Sequence, residues 1–166
     1  MCGIAGVAWT STGTPVDRER FNQMTDSMAH RGPDGRGIHR QEFSDGSGIT
    51  LGHRRLSIID LAGGAQPMSN EDDSVWVSFN GEIYNYRELR PQLEQAGHQF
   101  RTNSDSETIV HLYEEYGEAF VSHLRGMFAI ALWDNNHRRL ILARDRLGQK
   151  PLVYNAKPDR LTFASE

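Results

Sequence analysis

Met1-Cys2-Gly3-Ile4-Ala5-Gly6-Val7-Ala8-Trp9 opens the chain. Ile4 to Trp9 is short and mostly apolar, and reads as a buried strand. The only cysteine stands at its head, directly behind the initiator methionine. Removing Met1 would place a thiol and a free α-amino group on one residue. A thiol is an intrinsically good nucleophile, and an N-terminal amine can serve as its base. The amine suits that task because its pKa, about 7.7–8.0, lies far below that of lysine. The competing reading is a small buried hydrophobe that happens to occupy position 2. The rest of the chain decides between the two.

With 166 residues the chain is long enough for one domain with a real core. Hydrophobic residues are 37% and charged residues 24%, as in a globular protein, and the net charge of −4 argues against nucleic acid or an anionic membrane as partner. No apolar run approaches a membrane span, and no signal peptide opens the chain. A single cysteine excludes an internal disulfide, and cytoplasm is the expected compartment. Leu161 to Ala164 reads as a strand and Glu166 follows with no terminal signal, so a piece of a longer protein is expected.

Asp17 to Ala29 carries Phe21, Met24 and Met28 on one helical face, with Gly32 as its stop. His30-Arg31-Gly32-Pro33-Asp34-Gly35 reads as a surface loop, or as a rigid one that holds Arg31 and Asp34 in place. Gly37–Glu42 and Ile49–Ile59 are strand candidates around a Ser-Asp-Gly-Ser-Gly turn. Arg54 and Arg55 must point to opposite faces of the second. Val75–Phe79 is the clearest strand. Asn85–Ala96 is an amphipathic helix ended by Gly97, followed by a short strand at Gln99–Arg101. A helix after Asp105 buries Ile109, Leu112, Tyr113 and Tyr116, and Ala119–Leu124 adds a turn or two. Met127–Trp133 is apolar throughout, so a strand buried on both faces. Arg139–Arg144, Pro151–Tyr154 and Leu161–Ala164 complete two hairpins. About eight strands and three helices, with hairpins dominating, fit an α+β fold of packed antiparallel sheets rather than a βαβ alternation.

Several motifs admit two readings. Asn80-Gly81 is first a hairpin-turn signal, yet Glu82-Ile83-Tyr84-Asn85 runs towards a helix. An asparagine amide and a glycine N–H are also the donors of an oxyanion hole. Asp105 and Glu107 suit a helix start as capping carboxylates. The seven histidines form neither His-x-x-x-His nor His-x-x-Glu-His, so no metal site is expected. The Gly-Lys-Ser/Thr ending of a phosphate loop and the Gly-x-Ser-x-Gly elbow are both absent.

Six segments taken together are distinctive: Cys2-Gly3-Ile4-Ala5-Gly6, His30 to Asp34, Gly52-His53-Arg54-Arg55-Leu56-Ser57-Ile58-Ile59-Asp60, Asn80 to Asn85, Ser104-Asp105-Ser106-Glu107 and Arg144-Asp145-Arg146-Leu147-Gly148. In this order they resemble the glutaminase domain of class II glutamine amidotransferases, within the N-terminal nucleophile hydrolases. The branch they look most like is the glutamine-hydrolysing asparagine synthetases. The resemblance runs from Cys2 to Glu166.

That resemblance implies a four-layer αββα sandwich of two antiparallel sheets with helices outside. It implies that Cys2 attacks the side-chain amide of glutamine while its α-amino group shuttles the proton. Asn80 and Gly81 would hold the oxyanion, and water would hydrolyse the thioester. Arg55 would grip the substrate α-carboxylate, Asp105 and Glu82 its α-ammonium, and Leu56, Ser57, Ile58 and Ile59 would line the pocket. No cofactor is expected in this domain. ATP and Mg belong to a C-terminal synthetase domain of the same protein, beyond residue 166, that receives the ammonia. Its acceptor is aspartate or another carboxylate. A homodimer is compatible with the family. Two other functions compete: an N-terminal-cysteine hydrolase of another amide, and a non-catalytic docking module. The first is disfavoured by Arg55 and Asp105, the second by the presence of Cys2, Asn80 and Asp105.

Overall fold

The computed structural model describes residues 1–57 and 63–166. Strand β1 (Gly3–Trp9) leads to helix α1 (Arg18–Asp26), whose first turn is capped by the Asp17 carboxylate accepting from Arg20 N at 3.0 Å. Strands β2 (Gly35–Glu42) and β3 (Gly48–Arg55) form a hairpin. A two-residue strand, β4 (Met68–Ser69), precedes β5 (Val75–Ile83) and helix α2 (Tyr86–Ala96). Helix α3 (Asp105–Tyr116) begins behind a Ser104 cap and continues as a 3₁₀ segment, Gly117–His123. Strands β6 (Gly126–Asp134), β7 (Arg139–Arg144), β8 (Val153–Lys157) and β9 (Arg160–Ala164) close the chain.

The strands build two antiparallel sheets, ordered β2-β3-β1-β9-β8 and β4-β5-β6-β7. Strand β6 shows how they stack. Its alternate residues Ala129, Ala131 and Trp133 face the other sheet, meeting Ile4, Ile49, Leu51 and Phe163. Phe128, Ile130 and Leu132 point the opposite way, into a core shared with Leu89, Leu93, Ile109 and Leu112 of α2 and α3. On the far side, Phe21 of α1 packs on Val7 and Trp9, and Met28, just beyond that helix, packs on Ala5. Helix, sheet, sheet, helix: this is the expected four-layer α+β sandwich.

Several local expectations are revised; Tyr116, expected in the buried stripe of α3, is 44% exposed. Asn80-Gly81 makes no turn: β5 runs through both, paired with Ala129 and Phe128 of β6. A Cβ on Gly81 would lie 2.1 Å from Met127 O, so the neighbouring strand requires glycine there. The strand expected at Gln99–Arg101 does not form. Side-chain carboxylates take its backbone donors instead: Gln99 N donates to Glu71 Oε1 at 2.8 Å, and Arg101 N to Glu107 Oε1 at 2.7 Å. Glu107 is therefore more than a cap. Helix α1 ends at Asp26, before the expected Ala29: Ser27 N still donates to Gln23 O, but Met28 N and Ala29 N donate to Thr25 O and Asp26 O, only three residues back, and the chain continues in turns. Strand β3 stops at Arg55; the end expected for it, Ile58–Ile59, lies outside the described residues.

Candidate active site

Strand β1 lies centrally in its sheet, between β3 and β9. Its N-terminal end therefore places Cys2 beside the end of β3. The Cys2 Sγ accepts from Leu56 N at 3.4 Å and faces Leu56 O at 3.7 Å. Two further supports hold this end of the chain. Ile4 N donates to Ser165 Oγ at 3.0 Å, and Arg31 Nε donates to Cys2 O at 3.1 Å.

The Arg-Gly-Pro-Asp loop is thus the rigid alternative, not a free surface turn. Arg31 holds the nucleophile's carbonyl, while Asp34 N donates to Arg55 O at 2.9 Å and Asp34 Oδ2 accepts from Ser57 N at 2.9 Å. Gly32 between them lies so close to β3 that a Cβ would meet Arg54 O at 2.3 Å. One loop positions both the thiol and the segment that carries Arg55.

The two arginines separate as strand alternation demands. Arg54 Nε donates to Gly32 O at 3.1 Å, and its Nη1 reaches Asp26 Oδ1 at 3.4 Å, on the α1 side. Arg55 lines a cavity of about 280 Å³ on the other side. Cys2, Leu56, Asn80, Gly81, Glu82 and Asp105 line the same cavity. Ser57 is absent from its wall, its N–H held by Asp34, and Ile58 and Ile59 lie outside the described residues.

Two features of the cavity carry chemistry. Asn80 is 1% exposed, and its Nδ2 has no hydrogen-bond partner among the described residues. A buried unpaired amide donor costs free energy unless something in the cavity accepts from it. Asp105, also buried, begins α3 and accepts from Ile83 N through Oδ2 at 2.9 Å. Burial pushes its pKa above the usual carboxylate range; the Ile83 N–H opposes this and the nearby Glu82 charge adds to it. A carboxylate so placed gains from a cationic ligand. A guanidinium and two carboxylates around one small cavity complement a zwitterionic amino acid.

Sequence reasoning missed the cavity residues Gln66, Met127 and Lys150. Gln66 is a brace: its Oε1 accepts from Phe79 N at 2.7 Å and its Nε2 donates to Ser106 Oγ at 3.1 Å, linking β5 to α3. Each comes from a loop or strand whose local sequence carries no catalytic pattern. Only long-range packing brings them here.

A cysteine at the head of the central strand of an αββα sandwich, facing a cavity, defines an N-terminal nucleophile hydrolase. The glutamine amidotransferase domain family matches residues 1–166, and the chain belongs to that family. Asparagine synthetase [glutamine-hydrolyzing] 1 of Bacillus subtilis is 45% identical over 168 residues, covering 100% of this chain and 26% of its own length. Asparagine synthetase [glutamine-hydrolyzing] 2 of the same organism is 46% identical over 170 residues, with 100% and 22% covered. Asparagine synthetase [glutamine-hydrolyzing] 3 of Arabidopsis thaliana is 44% identical over 167 residues, with 100% and 28% covered. The chain thus spans about a quarter of the length of these relatives. The solved glutamine phosphoribosylpyrophosphate amidotransferase of B. subtilis, complexed with ADP and GMP, superposes with a TM-score of 0.78 at 24% identity, over 99% of this chain and 42% of that one. That likeness concerns the fold.

Proposed function

We propose that the protein hydrolyses the side-chain amide of glutamine to glutamate and ammonia through a cysteine thioester. The observation that carries this is the buried Asn80 Nδ2, unpaired among the described residues, on a residue that lines one cavity with Cys2, Arg55, Glu82 and Asp105. Met1 lines that cavity too. While it is attached, the Cys2 nitrogen is a peptide nitrogen and no base. Its removal clears the mouth and frees an amine on the nucleophile itself.

Arg55 binds the α-carboxylate of glutamine, and Asp105 with Glu82 binds its α-ammonium. The side-chain amide then lies against Cys2. The α-amino group takes the thiol proton as Sγ attacks the amide carbon. The oxygen that becomes negative is held by Asn80 Nδ2 and the Gly81 N–H, a contribution worth most when the charge is fully developed. The α-ammonium returns the proton to the nitrogen, the C–N bond breaks and ammonia leaves. Water, deprotonated by the same amine, hydrolyses the thioester. Hydrolysis of this kind draws on no metal and no cofactor.

The ammonia passes to an ATP-dependent synthetase domain in the same polypeptide, which amidates aspartate or a related carboxylate and holds the ATP and Mg. The relatives' names and their fourfold greater length support this. Cytoplasm is the proposed compartment; among the described residues no helix is long and apolar enough to cross a membrane. Glutamate and ammonia release from glutamine by protein beginning at Cys2, with asparagine as control, tests the reading. Hydrolysis of neither amide, with Met1 removed, would refute it.

A further inference from the structure

Away from the catalytic cavity, four potential metal ligands converge on α3 from three separate segments. Glu71 follows β4, His98 follows α2, and His111 and Glu114 share one face of α3, three residues apart. One ligand atom from each lies within 4.8 Å of the other three. His111 Nδ1 is 3.0 Å from Glu114 Oε2 and 3.7 Å from Glu71 Oε2, and His98 Nδ1 is 3.5 Å from Glu114 Oε2. Ligands of a tetrahedral zinc ion, at about 2.0–2.1 Å from the metal, lie about 3.3 Å from one another. The three separations above bracket that edge, within a set of atoms held inside 4.8 Å that a bound ion would draw together.

The outer atoms of the same side chains are oriented as a metal site requires. Glu114 Oε1 accepts from Asn70 Nδ2 at 2.7 Å, and Glu71 Oε1 accepts from Gln99 N at 2.8 Å. His98 Nε2 is 2.9 Å from Glu115 Oε1. His111 is fully buried; among the described residues its Nε2 has no hydrogen-bond partner, and Glu107 Oε1 stands 3.8 Å away. Metal-bound imidazoles characteristically direct the second ring nitrogen at a carboxylate or carbonyl. Both imidazoles here have a carboxylate on that side, and both leave Nδ1 towards the cluster.

We propose that Glu71, His98, His111 and Glu114 form a structural site for a divalent cation of the zinc class. Two neutral imidazoles and two carboxylates would exactly neutralise such an ion. The donor set is nitrogen and oxygen in four-coordinate spacing, which suits zinc better than calcium or magnesium. The ion would tie the segments after β4 and α2 to α3, whose first residue, Asp105, stands in the catalytic cavity. Its role is thus distinct from hydrolysis. The sequence conceals it because only the His111–Glu114 pair is local.

The test is zinc binding by the protein carrying Cys2→Ser, which removes the competing thiol. Equilibrium dialysis should give one zinc per chain, and X-ray absorption should show nitrogen and oxygen neighbours at about 2.0–2.1 Å, two of them imidazoles, with no sulfur. His98→Ala and Glu71→Gln should each weaken binding more than about 100-fold, and Glu115→Gln by about tenfold, the usual cost of losing an outer partner. Glu71→Gln is isosteric and His98 lies outside any helix or strand, so folding is preserved in at least one variant; circular dichroism checks it. Absence of bound zinc would overturn the proposal and leave the cluster as histidines hydrogen-bonded to carboxylates. Zinc held at wild-type affinity by folded His98→Ala and Glu71→Gln would overturn it as well.

Discussion

Asp105→Asn should separate substrate binding from stability. The residue is 5% exposed, and its Oδ2 accepts from Ile83 N at 2.9 Å. Asparagine keeps an oxygen for that bond but loses the charge. A charge-assisted hydrogen bond contributes roughly 1.5–3 kcal/mol. At about 1.4 kcal/mol per decade, losing it to the substrate ammonium should raise KM for glutamine roughly 10- to 100-fold. Stability should move the other way. Burial, against the Ile83 N–H and with the Glu82 charge, holds the folded pKa above the 3.8 of the unfolded chain. The folded state then binds the Asp105 proton more tightly, so ionising this carboxyl costs stability from the folded pKa upwards, and nothing below 3.8. The variant should melt at or above the wild-type temperature near neutral pH and lose that advantage in acid. Wild-type KM should also begin to rise on acidification above the ordinary carboxylate range, and the variant's should not. Glutamate release against glutamine concentration, with melting curves at both pH values, measures all of this. An unchanged KM, or a melting temperature that falls together with activity, would refute the reasoning.

Asn80→Ala should lower kcat by roughly 10²–10³, with little loss of stability, because Nδ2 has no partner to abandon among the described residues; a change under about threefold would remove Asn80 from the oxyanion hole. Arg55→Ala should raise KM steeply, whereas Arg54→Ala, which breaks the bond to Gly32 O, should cost about 1 kcal/mol of stability and leave KM nearly unchanged; the reverse pattern in KM would exchange their roles. Arg144 and Asp145 are spent on the backbone, Arg144 on Lys150 O and Gly148 O and Asp145 on three N–H groups of its own loop and that of Phe128 on β6, while Leu147 is 82% exposed. Arg146→Ala in the full-length protein should therefore keep glutamine hydrolysis but lower aminated product per glutamate formed; an unchanged ratio would leave this segment as plain surface.

Strands β1, β3 and β6 were legible because burial on one or both faces imposes a pattern on the residues themselves. The arginine pair was legible for the same reason, since alternation sends neighbours to opposite faces. Asn80-Gly81 misled as a dipeptide: its local turn preference yields to pairing with β6, where Phe128 and Met127 leave no room for a Cβ. The segment 99–101 misled in the opposite sense, because Glu71 and Glu107 satisfy N–H groups that a partner strand would otherwise take. At the site, Cys2, Asn80, Arg55 and Asp105 stood in recognisable motifs. Gln66 and Lys150 did not, because their positions depend on contacts far apart in sequence. Glu71 and His98 were hidden in the same way.

The central claim is that the amine of Cys2 serves as the base for its own thiol. The direct measurement compares glutamate release, at saturating glutamine, by protein beginning at Cys2 with the same protein retaining Met1, each confirmed by intact mass. Without the free amine, turnover should fall by at least about 100-fold, the lower range for losing a positioned general base. Equal turnover by the two forms would contradict the account.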